Sequence, residues 1–144
     1  MFAAHALWYL GYPDQAVERM QAALALAREL SHPFSLAHVL DHAAWLHQYR
    51  REGGLTQEQA EADMALSTEK GFPFSLANGT IMRGWALAAQ GRRVEGMTQM
   101  HQGMATLRAI GVGVLVPRDH TMLAEAYGEA DRPRKGCACW PRHR

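Results

Sequence analysis

Apolar residues recur at i, i+3, i+4 and i+7 along most of this chain, the spacing that places them on one stripe of a helix. Val17, Met20, Ala23, Leu24, Ala27 and Leu30 make one such stripe, and Glu18, Arg19, Arg28 and Glu29 take the opposite, watered face. Glycine is favoured just past a helix end and proline just inside a start, so both mark the breaks. The pattern predicts helices over 1–10, 14–30, 34–51, 56–70, 74–90, 92–110 and 118–129. In the fourth, Thr56 and Gln59 have the spacing of a capping box.

A repeat organises these elements. Pro33-Phe34-Ser35-Leu36-Ala37 returns forty positions later as Pro73-Phe74-Ser75-Leu76-Ala77, and the same step carries Trp45 onto Trp85. A double step carries Gly11 onto Gly91 and Ala16 onto Gly96. Each unit holds two helical patterns, giving about three and a half units. Small residues at Ala16, Ala43, Ala44, Gly84 and Gly96 mark places where neighbouring backbones must come close.

Composition agrees with an all-α chain. Ala and Leu contribute 39 of the 144 residues and Val, Ile and Thr only 14, and β-branched side chains lose χ1 freedom in a helix. A net charge of +1 carries no basic footprint for nucleic acid. No window approaches the roughly 20 apolar residues of a membrane span, and the start Met1-Phe2-Ala3-Ala4-His5 lacks the basic region of a secretion signal. The expected location is the cytoplasm, where Cys137 and Cys139 stay reduced.

At Gly84, Gly91 and Gly96, and at Leu10-Gly11-Tyr12 with Ala16 and Ala23, the chain resembles a tetratricopeptide repeat protein. The forty-residue spacing is longer than the usual thirty-four. It is similar to the long-helix variety in the C-terminal arrays of bacterial ATPase-linked adenylate/guanylate cyclases and LuxR-type activators, with Gly84-Trp85-Ala86-Leu87-Ala88 and Leu123-Ala124-Glu125-Ala126-Tyr127-Gly128 as its phrases. Arg83, where an apolar residue is usual, departs from the pattern. The resemblance implies an α-solenoid of antiparallel helix pairs over 1–130 whose first helices line a concave groove. It places His38, Asp41, Trp45, Gln48, Tyr49, Ile81, Trp85 and Ala89 on that wall as partner-binding residues. Aromatic side chains with a polar rim are the composition of an interface hot spot; the competing reading packs Trp45 and Trp85 between units.

Other chemistry is thin. His38 and His42 share a helical face at i, i+4, but a catalytic zinc site of that spacing needs Glu directly after the first His, where Val39 stands. Gly111-Val112-Gly113-Val114 leads into Val116-Pro117 with no phosphate cradle. No nucleophile and base pair up, so the expectation is no enzyme, no metal and no cofactor. Met97, Met100 and Met104 sit at core spacing, and the methionines are read as packing rather than as an adaptable peptide surface.

Both ends read as those of a longer array. Phe2, Leu7 and Trp8 lack a preceding unit to cover them, and uncapped ends favour self-association. Residues 131–144 form an irregular basic tail. Cys139-Trp140-Pro141, read one base earlier, encodes Leu-Ala, so a frameshift near Arg134 accounts for that tail. The functional expectation is a protein-interaction or regulatory scaffold of a bacterial signalling protein that takes a peptide or partner domain in its groove. The alternatives are the small-effector sensor of a transcriptional activator and a nonfunctional gene remnant.

Overall fold

The structure is a computed structural model that describes residues 1–113 and 116–130. It consists of seven helices: α1 (Phe2–Tyr9), α2 (Pro13–Glu29), α3 (Pro33–Tyr49), α4 (Gly53–Lys70), α5 (Pro73–Ala89), α6 (Arg93–Ala109) and α7 (Val116–Ala130). Among the described residues there is no strand. Proline opens α2, α3 and α5 at the first helical turn, where its missing N–H costs nothing.

The helix ends recur every twenty residues. Gly11, Ser31, Arg51, Gly71, Gly91 and Gly111 all have positive φ, between 49° and 94°. After most of these residues the next amide reaches back five positions, as in Tyr12 to Leu7, Glu52 to His47, Phe72 to Ser67 and Arg92 to Leu87. The forty-residue unit is thus a doubled twenty-residue helix-and-turn.

Successive helices pack on each other, and α1, α3, α5 and α7 also touch in series, whereas α2, α4 and α6 do not touch one another. This contact pattern makes two layers: an inner one of odd-numbered helices and an outer one of even-numbered helices. The architecture is an α-solenoid of three and a half units. Equivalent inner residues meet directly at the forty-residue step. Tyr9 donates to Tyr49 at 3.0 Å, Trp85 Nε1 to Glu125 at 3.3 Å and Arg118 to Asn78 at 2.8 Å.

Two apolar clusters lie between the layers. One joins Met20, Leu24, Val39, Leu40 and Leu46; the other joins Ile81, Met82, Trp85, Met100, Met104, Leu107, Met122 and Leu123. Met100 and Met104 are core residues and Met97 packs at their edge, as their spacing predicts. Ala16, Ala43, Ala44, Gly84 and Gly96 are buried as well. At Gly84 an added Cβ would lie 2.6 Å from the Gly96 carbonyl oxygen, so α5 and α6 meet backbone to backbone.

Three expectations are corrected. The capping box is not formed, because α4 starts three residues earlier, at Gly53, and Thr56 is a buried residue of its first turn whose hydroxyl donates to the Glu52 carbonyl. Gln59 Oε1 has no partner among the described residues. Leu7 and Trp8 are not left uncovered: both pack on the first apolar cluster, and of the three predicted residues only Phe2 is exposed. Leu30, the last residue of the α2 stripe, is 63% exposed, because α2 ends at Glu29 and Leu30 falls in the turn beyond it. The expected tail over 131–144, with Cys137, Cys139 and the frameshift, lies outside the described residues.

Candidate functional site

The inner face begins with rings. Phe2 and His5 of α1 stand edge-on to His42 of α3 at centroid distances of 5.3 and 5.2 Å, His38 lies 4.6 Å from His42, and His42 stacks on Trp45 at 5.1 Å. Helical spacing makes this column, since 38, 42, 45 and 49 fall on one stripe of α3. Burial, aided by the neighbouring His42, holds the His5 imidazole down to about 4, and the same causes lower His38. Both rings are therefore neutral at pH 7 and pack as flat, weakly polar surfaces. The two histidines of the i, i+4 pair belong to this ring stack. Among the described residues no three metal-ligating side chains converge.

Below the rings, a polar chain crosses the inner layer. Asn78 Nδ2 donates to Asp41 Oδ2 at 3.1 Å, Arg118 Nη2 donates to Asn78 Oδ1, and Arg118 also donates from Nε and Nη2 to Asp119 at 2.8 and 2.6 Å. The Arg118 guanidinium lies 4.1 Å from the Trp45 ring centroid, a cation–π contact spanning α7 and α3. Burial pushes the Asp119 carboxyl up, and Arg118 opposes that push. Asp63, beside this chain in α4, is fully buried. Burial and the charge of Asp41 push its carboxyl up to about 8 against one hydrogen bond from Ser67.

At the far end of α3 the inner face opens into a cleft of about 310 Å³ lined by Trp8, Gln48, Tyr49, Arg51, Arg118, Thr121, Met122 and Glu125. The rings of Trp8 and Tyr49 are stacked, 16° from parallel at 6.3 Å. Burial and the bond from Tyr9 push the Tyr49 hydroxyl up to about 12, so it stays a neutral phenol. Arg51 grips both oxygens of Glu125 at 3.0 and 2.8 Å, and Trp85 Nε1 donates to the same carboxylate. Helix α7 is thereby tied to the turn after α3 and to α5.

The sequence-predicted wall is divided by depth. Gln48 and Tyr49 line the cleft, while His38 and Trp45 are half-buried in the ring column. Asp41, Ile81 and Trp85 are buried, with Trp85 only 4% exposed, and Ala89 is exposed at the end of α5. Trp45 and Trp85 are both topped by α7, one by Arg118 and the other by Glu125. Sequence reasoning passed over Trp8, Arg51, Arg118, Thr121, Met122 and Glu125. The repeat contained the signal for three of them, since the forty-residue step carries Gln48 back to Trp8, Asn78 on to Arg118 and Trp85 on to Glu125.

Comparison of the chain with family models, curated proteins and solved structures gives no match.

Proposed function

We propose that the protein is a non-catalytic binding module of tetratricopeptide type, a regulatory scaffold of a bacterial signalling protein whose concave face takes a peptide or partner domain. The carrying observation is the cleft, where half-buried aromatic and charged side chains of α1, α3 and α7, with exposed Arg51 of the turn after α3, converge on a space that fits one large side chain. Stacked Trp8 and Tyr49 offer amphipathic area at low entropic cost. The acids and bases nearby bind one another: Glu125 is held by Arg51 and Trp85, Asp119 by Arg118 and Asp41 by Asn78. That mutual engagement supports recognition over proton transfer.

The test is selection of a displayed peptide library on the immobilised chain, followed by anisotropy titration of the selected peptides. Tyr49→Ala and Arg51→Ala are expected to weaken binding at least tenfold with helicity retained. Unchanged affinity in both variants would remove the concave face from the reading. One observation favours a small effector as the second reading. The ties from Arg51 to Glu125 and from Arg118 to Trp45 cross the concave face, leaving a half-open cleft in place of a long channel. Competition of a selected peptide by a small-molecule library discriminates the two.

A further inference from the structure

The cleft of the concave face holds a polar group that the fold leaves idle. Gln48, in the last turn of α3, lines the cleft and is 8% exposed. Its carboxamide makes no hydrogen bond among the described residues, and neither amide atom is closed off from the cleft. A carboxamide that gives up its water and gains no partner lowers stability. The forty-residue step puts Trp8, Ala88 and Gly128 at the equivalent positions, and none of them carries an amide side chain, so the repeat itself does not call for one.

The charged groups around Gln48 are already engaged. Arg51 is taken up by Glu125, and Arg118 by Asn78 and Asp119. The Tyr49 hydroxyl accepts from Tyr9, and the Thr121 hydroxyl donates to the Pro117 carbonyl. An incoming carboxylate or ammonium therefore meets no unpaired counter-charge to offset the loss of its water shell. A neutral group escapes that cost. Gln48 presents an N–H donor and a C=O acceptor side by side on one flat edge, and a second carboxamide returns both bonds. The Trp8 and Tyr49 rings, 16° from parallel, give the flat face of such a group apolar cover.

We infer that the cleft selects a glutamine or asparagine side chain of the partner peptide, and that Gln48 is the residue that reads it. This rests on the peptide-binding reading above and adds the chemistry of the anchor: uncharged, planar, with donor and acceptor on one edge.

The test pans the displayed peptide library on the full chain and on Gln48→Met, which keeps side-chain length and helix propensity while removing both amide atoms; circular dichroism checks its helicity. Peptides selected on the wild type are expected to share one glutamine or asparagine. Replacing that residue by methionine should weaken binding at least tenfold to the wild type and less than twofold to Gln48→Met, a coupling that a merely structural role of Gln48 would not produce. Replacing it by glutamate, read on the wild-type chain alone, should weaken binding at least tenfold too. Selected peptides that depend on Tyr49 yet share an acidic, basic or aromatic anchor would overturn the inference and leave the peptide-binding reading standing. So would an equal loss in the two chains when the anchor is replaced by methionine. Failure to select any peptide, or selected peptides indifferent to both Tyr49→Ala and Arg51→Ala, would overturn the two together.

Discussion

Asp63 sits fully buried with a single hydrogen bond, from Ser67, and its second oxygen meets no donor. A carboxyl so placed folds more easily with its proton on, which is why burial lifts it to about 8 from the ordinary 3.8. The stability this residue contributes is complete below pH 4 and is lost as pH rises through 8. His5 acts in the opposite sense. Its imidazole titrates near 4 instead of 6.5, so its contribution is complete above pH 6.5 and is lost as pH falls toward 4. Above pH 6.5 the Asp63 slope is no longer offset by His5. Urea unfolding is expected to show stability falling by up to about 1.4 kcal/mol per pH unit between pH 6.5 and 8. Asp63→Asn keeps an acceptor for Ser67 and removes the titration. That variant should flatten the profile and gain roughly 1–3 kcal/mol at pH 8; an unchanged slope would assign the alkaline loss to another group.

Between elements, the closest approach is α5 against α6, and two glycine substitutions read it with opposite signs. A Cβ on Gly96 would stand 2.7 Å from the Ala88 nitrogen and 3.0 Å from its Cβ, against backbone that has nowhere to move. Gly96→Ala is expected to cost about 1–3 kcal/mol in thermal or urea unfolding, more than the helix propensity alanine restores. Gly54, in the first turn of α4, has nothing within 4 Å, and Gly54→Ala should stabilise by about 0.4–1 kcal/mol. Equal effects at the two sites would mean the helices are not in contact at Gly96. Much at this scale was legible in the sequence, because helix propensity, proline starts and small-residue spacing are local signals. Hence the seven helices begin and end within about three residues of the pattern drawn from stripes and breaks. The start of α4 was not legible. Glu52 precedes it without a side-chain cap and Gly53-Gly54 reads as a turn, yet both glycines are helical and the Thr56 amide and hydroxyl both return to the Glu52 carbonyl. Nor were the left-handed ends at Ser31 and Arg51 legible, since neither residue type announces positive φ. The candidate wall was legible as a set of helical positions. Its depth was not, because whether Trp85 or Trp45 is covered depends on how far α7 reaches back.

For the whole molecule, that reach is the feature that separates this solenoid from a simple ribbon. In a ribbon each unit answers only to its neighbours, yet Arg118 joins α7 to Trp45 on α3 and to Asn78 on α5, and Arg51 in the turn after α3 holds Glu125 on α7. Arg118 therefore joins three inner helices as well as pairing with Asp119. Replacing it with leucine leaves a buried carboxylate and a buried amide oxygen unpaired, which costs about 3–5 kcal/mol. The cost should fall on α7. In Arg118→Leu, hydrogen exchange is expected to lose protection throughout α7 while α1 to α4 keep theirs, because α7 packs on α5 and α6 and not on α1, α2 or α4. The double variant Arg118→Leu/Asp119→Leu removes the stranded charge and should recover most of the loss, with α7 again protected. Equal loss of protection in α1 and α7 would show that the cross-ties bind the molecule into one cooperative body. Failure of the double variant to recover would show that the contacts of Arg118 with Trp45 and Asn78, rather than the pairing with Asp119, hold α7 in place.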